Sequence, residues 1–325
     1  MEQLGRKSLN EEQVIASYFG KSISCPDTTL GIGDDAAIIN PRGSYLAVAT
    51  DTLVEGVHFK PDADAADIGH KALAVNLSDL AAVAAKPRWA LLALTIPDSD
   101  ADWLKAFSDG FFRLAEQHEV RLIGGDTTKG KLTITVQLIG TIAENKILRR
   151  DKAQAGEGIY VTGRIGDAAM AALHAAALKS YTQSYQQCLE RMLRPTARVA
   201  EGMILARYAD AAIDISDGVF KDLSRLLSAS AVGANIAIES IPTIAEINLL
   251  CPTLEALIKA LIYGEDYELL FTLKDEYLAE LTHAFGNIGT ALTRIGTIEK
   301  KQGLRCYYRS KPVELPEQLG YDHFG

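Results

Sequence analysis

The apolar positions of the chain follow two rhythms, one of strands and one of helices. Tyr45 to Thr50 (YLAVAT) is a short apolar run closed by Asp51, the pattern of a buried strand. From Ala65 to Ala85 the residues Leu73, Leu77, Leu80 and Ala84 share one stripe at helical spacing, and Pro87 stops the pattern. Trp89 to Ile96 (WALLALTI) reads as a second strand ended by Pro97. Asp98 or Ser99 is placed to cap a helix reaching about His118. Val120–Ile123 and Lys131–Ile142 are further strands, the latter alternating polar and apolar residues.

Around Ala143 to Gly158 the pattern breaks into a polar, charged, glycine-bearing segment, AENKILRRDKAQAGEG. This predicts a domain boundary that divides the chain into 1–145 and 146–325. Beyond it, Ile159–Thr162 reads as a strand entering a glycine-rich turn and an alanine-rich helix from about Asp167, with more helices to about Tyr208. Ala211–Ile215, Ala234–Ile238, Leu269–Thr272, Leu292–Ile298 and Leu304–Tyr308 read as strands, with a helix from about Val219. Mixed elements in both halves predict a two-domain α/β (α+β) architecture, in keeping with a length of 325 residues.

Composition narrows the function classes. Hydrophobic residues are 48% and charged residues 23% of the chain, which excludes long disorder. No uncharged apolar run reaches the ~18 residues of a membrane span, and the N-terminal residues carry no apolar core of a secretory signal. Cys25, Cys188, Cys251 and Cys306 lie far apart without a CxxC pair, so neither a structural zinc site nor a disulfide framework is expected, and a reducing cytosol fits. The net charge of −9 and the lack of a basic cluster longer than Leu148–Lys152 argue against a nucleic-acid partner. An acidic protein that binds anions needs metal ions or local dipoles to do so.

The placement of aspartates points to such ions. Asp34 and Asp35 sit in GIGDDAA (31–37), Asp51 ends the run AVATDT (47–52), and Asp79 lies in the helical segment NLSDL (76–80). Asp126 follows two glycines in LIGGDTT (122–128), Asp214 and Asp217 flank Ser216 in AIDISDG (212–218), and Glu265 and Asp266 lie in YGEDYEL (263–269). One Asp beside Gly is ordinarily a turn residue or a helix cap. Several next to apolar strand ends, without Lys or Arg close in sequence, repel one another unless a cation joins them. Oxygen ligands without Cys or His select a hard cation, Mg²⁺ before Zn²⁺, and magnesium held by few carboxylates completes its shell with water and phosphate.

The usual nucleotide motifs do not explain this set. There is no GxxxxGK[ST] loop, and Gly31-x-Gly33-x-x-Ala36 matches the dinucleotide fingerprint only formally. No clear strand precedes it, a β-like Ala37-Ile38-Ile39 follows it, and two aspartates fill the positions that would face a pyrophosphate. His58, His70, His118, His174, His283 and His323 show no ligand spacing, no cysteine has a neighbour that would activate it, and no GxSxG elbow is present.

Taken together, the chain resembles the thiamine-monophosphate kinases of the aminoimidazole-ribotide-synthetase-like ATP-binding superfamily. The strings that carry the resemblance are GIGDDAAII (31–39), ATDTLVEGVHF (49–59), HKALAVNLSDLAA (70–82), LIGGDTT (122–128), IDISDG (213–218), YGEDYELLFT (263–272) and GYDHF (320–324), nearly end to end and in the family's order. The resemblance implies ATP-dependent phosphorylation of thiamine monophosphate to thiamine diphosphate, with several Mg²⁺ ions, by two α/β domains of which the N-terminal ones pair in a homodimer. The implied metal ligands are Asp35, Thr50, Asp51, Asp79, Asp126, Asp214 and Asp217, with Asp51, Asp79 and Asp126 central to catalysis. Ala49 stands where relatives often carry Ser, so only its backbone carbonyl could join them. The implied nucleotide contacts are Gly125, Asp126, Arg150 and Ser216, and the implied substrate contacts are His58, Glu265 and Tyr321. The alternatives are another ATP-using member of the superfamily, acting on a purine-pathway or selenium substrate, and a non-catalytic Mg-nucleotide binding protein.

Overall fold

The structure, a computed structural model, describes residues 45–142 and 147–322, with 17–18 and the backbone of 28–30 and 38–39. The chain divides into two compact units, Met1–Leu80 with Pro87–Ala143, and Ala81–Lys86 with Glu144–Gly325.

In the first unit β1 (Thr28–Leu30) and β2 (Ile38–Ile39) form a two-stranded antiparallel ladder. A strand therefore does precede the GIGDD segment, contrary to the sequence expectation, but a strand and not a helix follows it. Gly31 to Ala37, with Asp34 and Asp35, lie outside the described residues. The main sheet holds β3 (Tyr45–Val54), β4 (Lys86–Ile96), β5 (Arg121–Lys129) and β6 (Thr133–Ile142) in the order β3-β6-β4-β5. Helix α1 (Ala65–Ala82) joins β3 to β4, and α2 (Ala101–Gln117) makes the crossover between the parallel pair β4 and β5. In β6 buried and half-buried residues alternate without a break, as a strand with one face on the core requires.

Three local expectations change. YLAVAT is not a buried strand: Tyr45, Leu46 and Val48 are 50%, 45% and 57% exposed, because β3 is an edge strand paired only with β6. Helix α1 stops at Ala82, before Pro87, because Ala84 turns left-handed with φ +59°. The cap of α2 is Asp100 and neither Asp98 nor Ser99, its carboxylate accepting from the backbone N–H of Asp102 (2.9 Å) and Trp103 (3.2 Å). The two helices cross at glycines. A Cβ on Gly69 would stand 2.1 Å from the Phe107 carbonyl oxygen, and one on Gly110 would stand 2.0 Å from that of Ala66. That close approach fixes the height of α1, and with it Asp79, over the sheet.

The second unit contains β7 (Gly158–Thr162), α3 (Asp167–Leu173), α4 (Ala175–Leu178), α5 (Thr182–Leu193), α6 (Val199–Leu205), β8 (Ala212–Ile215), α7 (Val219–Ala229) and β9 (Gly233–Ala237). It continues through α8 (Ile247–Leu250), α9 (Leu254–Leu261), β10 (Glu268–Leu273), α10 (Leu278–Gly286), β11 (Leu292–Glu299), β12 (Gly303–Tyr308) and β13 (Lys311–Val313). The strands form one sheet in the order β13-β12-β9-β11-β7-β10-β8, antiparallel except for the β9–β12 pair. Every residue of β7, β8 and β10 is buried, which is why these strands are mostly apolar on both faces, with Thr162, Asp214, Glu268 and Thr272 as buried polar exceptions. No helix of the described residues is long and apolar enough to cross a membrane.

Candidate active site

In the first unit the acidic residues of β3 and α1 meet. The Asp51 and Asp79 carboxyl groups share a hydrogen bond. Burial raises the proton affinity of Asp51 and the bond to Asp79 opposes it, leaving the Asp51 carboxyl above its usual range. Strand β3 and helix α1 thus bring two hard-oxygen carboxyl groups into contact. The strand is tied to the helix by Asn76, fully buried, whose carboxamide oxygen accepts from the Asp51 backbone N–H (3.1 Å) while its amide donates to the Ala72 carbonyl (3.2 Å). Since the Asp51 N–H goes to Asn76 and not to β6, the alternation of an antiparallel strand turns the backbone groups of Ala49 toward the same unpaired edge. Thr50 lies between them, exposed.

His58 closes the turn after β3. Its Nδ1 accepts from the Val54 backbone N–H (2.9 Å), so the neutral ring carries its proton on Nε2. Lys71, buried on α1, donates to the His58 carbonyl (3.2 Å) and fixes that turn to the same helix as Asp79.

Asp126 is not brought to this pair within the unit. It lies exposed on β5, and two strands separate β5 from β3, on the order of 14 Å across the sheet at about 4.8 Å per strand. Gly125 before it has φ +151°, and a Cβ there would stand 1.8 Å from the Leu92 carbonyl oxygen of β4. Only glycine lets β5 carry Asp126 this close to β4. Among the described residues no group of three or more Asp, Glu, His or Cys side chains gathers in a metal-holding arrangement.

In the second unit three motifs distant in sequence are sewn together by backbone bonds. The Glu265 N–H donates to the Ser216 carbonyl (2.8 Å), the Tyr267 N–H to that of Ile215 (2.8 Å), and the Tyr321 N–H to that of Asp217 (2.9 Å). Ser216, Asp217, Glu265 and Tyr321 therefore sit around one loop. Asp222 organises that loop from within: its Oδ2 accepts from the backbone N–H groups of Ser216 (3.1 Å), Asp217 (3.0 Å) and Gly218 (3.1 Å), and its Oδ1 accepts from Arg225 (2.7 Å). These are the amides a helix N-terminus would offer to a phosphate, and here a buried carboxylate already takes them. Burial raises the Asp222 proton affinity, the amides and Arg225 oppose it, and the carboxyl stays above its usual range.

Asp214 is buried on β8, opposite Leu269 of β10. Asp217 is not without cationic neighbours, as its sequence context implied: Lys221 (3.1 Å) and Arg225 (2.7 Å) both reach its Oδ2 from α7. Arg150 opens a short 3-10 turn, Arg150–Lys152, and lies exposed. The turn is held by the Ser230 hydroxyl donating to the Arg150 carbonyl (2.7 Å), and it is the neighbouring Arg149 that pairs with Asp151 (2.8 Å). Sequence reasoning missed Asn76, Lys71 and Asp222. For Asp222 a signal existed, an acid in the first turn of a helix preceded by glycine.

Comparison with known proteins identifies the family of both units. Residues 33–142 match the AIR synthase related protein N-terminal domain, and residues 154–309 its C-terminal domain. A thiamine-monophosphate kinase of Salmonella typhimurium is 43% identical over 319 residues, 97% of this chain and 98% of that protein. The crystal structure of a thiamine-monophosphate kinase from Stenotrophomonas maltophilia superposes with a TM-score of 0.83 at 40% identity, covering 94% of this chain and 99% of that one. A structure described as AaThiL complexed with AMPPCP and TMP superposes with a TM-score of 0.73 at 32% identity, over 90% of this chain and 92% of that one.

Proposed function

The chain belongs to the AIR synthase related proteins and, among them, to the thiamine-monophosphate kinases, and from that premise we propose that it transfers the γ-phosphoryl group of ATP to thiamine monophosphate, forming thiamine diphosphate. The observation that supports this reading in the chemistry is the Asp51–Asp79 contact, two hard-oxygen groups that β3 and α1 bring together through the Asn76 bond to the Asp51 N–H.

We assign Mg²⁺ to that pair, with Thr50 and the Ala49 carbonyl beside it; Asp35, Asp126, Asp214 and Asp217 remain candidate ligands implied by the family resemblance for the several ions of the reaction. Magnesium, when bound, neutralises the repulsion between two polyanions, which is most of what phosphoryl transfer requires. The acceptor is a phosphate monoester with a second pKa of about 6, so its attacking oxygen is largely deprotonated at neutral pH and the chain need supply no general base. Gly125, Asp126, Arg150 and Ser216 are assigned to ATP, Arg150 as an exposed guanidinium able to pair with polyphosphate. His58, Glu265 and Tyr321 are assigned to thiamine monophosphate. Supporting these roles, Glu265 and Tyr321 are bonded to the same loop that carries Ser216.

The reading extends to the division of labour. Residues 1–145 would form the ATP- and magnesium-binding and dimerisation domain, and residues 146–325 the second α/β domain. The exposed edge strand β3 with Tyr45, Leu46 and Val48 supports a homodimer, since an apolar edge of this kind is a ready template for a second copy. The buried thiols of Cys188, Cys251 and Cys306 suit a cytosolic protein. Purified protein given ATP and thiamine monophosphate should form thiamine diphosphate, stop on addition of EDTA and resume with excess Mg²⁺. ATP consumption without thiamine diphosphate, or turnover indifferent to EDTA, would refute it.

A further inference from the structure

A buried ionic network lies directly behind the Glu265 loop. From Gly264 to Tyr267 the backbone is left-handed at three of four residues, with φ +85° at Gly264, +63° at Glu265 and +50° at Tyr267. This conformation is unfavourable for the two residues that carry a Cβ, so the surroundings must impose it. Asp266, fully buried between them, is the fastening point. Its Oδ1 accepts from the Gly166 N–H (2.8 Å), and Arg191 of α5 donates to its carbonyl (3.4 Å).

Arg191 is held in turn. It pairs with Glu268 through Nη2 and approaches Asp167 through Nε (3.2 Å). Arg198 grips both oxygens of Glu268 (2.6 and 2.7 Å), and Thr162 donates to the same carboxylate. A Cβ on Gly163 would stand 2.0 Å from Glu268 Oε1, so the network fills its space. Yet one oxygen of Asp266, Oδ2, is buried without a hydrogen-bond partner, as is Oδ1 of Asp167. Burial drives the Asp266 carboxyl well above its ordinary range. An apolar core of the same volume would serve stability at least as well as a network left partly unsatisfied, so its placement calls for another role.

We propose that Asp266 and Arg191 are positioning residues for Glu265, and that they set the affinity for the acceptor and not for ATP. The inference rests on the assignment of Glu265 to thiamine monophosphate. The distinction between the two substrates comes from the loop carrying Ser216, which has its own fastening in the three amides bound by Asp222. Loss of the network leaves the Glu265 segment held to the Ser216 loop only by its backbone N–H bonds to Ser216 and Ile215, freeing the Glu265 side chain to reorient, while Ser216 stays clasped by Asp222.

Steady-state kinetics of wild type, Asp266→Ala, Asp266→Asn and Arg191→Ala test this, with melting curves for each. Asp266→Ala should raise KM for thiamine monophosphate about tenfold or more and leave KM for ATP within about twofold, the pattern of lost ground-state binding. Asp266→Asn keeps an oxygen for the Gly166 N–H and should stay within about threefold of wild type on both substrates. Arg191→Ala should follow Asp266→Ala in direction, and it carries the test with Asp266→Asn if the alanine variant at 266 does not fold. A purely structural role would lower the melting temperature and kcat while leaving both KM values alone, or would raise both together, and either result overturns the proposal. If wild type itself forms no thiamine diphosphate, the assignment of function falls and takes this inference with it. If wild type is active and the variants keep its acceptor KM, the positioning role alone is wrong.

Discussion

Truncating Asp222 is the sharpest test of how the candidate site in the second unit is built. Asp222→Ala removes an acceptor for three backbone N–H groups at 3.0 to 3.1 Å and for Arg225 at 2.7 Å. At ~1 kcal/mol net for each amide bond and ~2 kcal/mol for the charged one, the simple sum is ~5 kcal/mol. Two terms reduce it. Ser216 and Asp217 are half-buried, so water can replace part of what they lose, whereas the Gly218 amide is enclosed. Burial is also the largest influence on the Asp222 carboxyl, so its removal relieves a desolvation cost. The expected net loss is ~2–3 kcal/mol, or ~4–12 °C in Tm for a unit of this size. The loop carries Ser216, so KM for ATP should rise by about an order of magnitude with it, and Asp222→Asn, which keeps one oxygen, should lose less of both. Thermal unfolding followed by circular dichroism, and ATP titration at saturating thiamine monophosphate, give the two readings. A Tm within about 2 °C of wild type together with an unchanged ATP KM would show that the three amides find other partners and that the clasp is incidental.

Asp51→Asn should lower kcat by at least about an order of magnitude while leaving Tm equal or slightly higher, because it replaces a half-buried, partly desolvated carboxyl beside Asp79 with a neutral amide; near-normal turnover at modest Mg²⁺ would remove Asp51 from the metal set. Asp79→Ala should shift the Mg²⁺ dependence of turnover to higher concentration with a near-native melting curve, and wild-type kinetics across a magnesium titration would defeat the shared-cation reading. Gly125→Ala places a Cβ 1.8 Å from the Leu92 carbonyl at φ +151° and should destabilise by ~2 kcal/mol or more, so an unchanged Tm would contradict the β4–β5 packing. For Glu268, burial raises the carboxyl, but Arg198 and Arg191 outweigh it and hold the group below its usual range. Its contribution to stability is therefore whole above ~4.3, the unfolded value, and is lost as pH falls through the lower folded value. Glu268→Gln should cost ~2–3 kcal/mol at neutral pH, because the half-buried Arg191 and Arg198 lose their shared carboxylate and keep only Asp167 and Glu201, and its Tm deficit should narrow below about pH 4; a deficit that is constant with pH would refute the ion-pair assignment.

The sequence alone determined the elements whose residues carry a periodicity, and the residues whose chemistry is rare. The alternation of β6, the mostly apolar strands β7, β8 and β10, and the acids of ISDG and GEDYEL are all local properties of the chain. Less periodic pieces were not legible: α8, α9 and β13 are short, α10 lies between stronger signals, and the exposed side of β3 looks like core when read by composition. Only the tertiary structure decided who meets whom. Asn76 reaches Asp51 across 25 residues, Arg198 reaches Glu268 across 70, and Asp266 reaches Gly166 across 100. Asp126, which reads as the equal of Asp51, is carried to the opposite edge of the same sheet by the strand order β3-β6-β4-β5. Periodicity tells a residue which side of its own helix or strand it occupies. It contains nothing about which other element will cover that side, because the partner is chosen by the burial of all the apolar faces at once, and a buried charge is satisfied only by whatever that packing brings within about 3 Å.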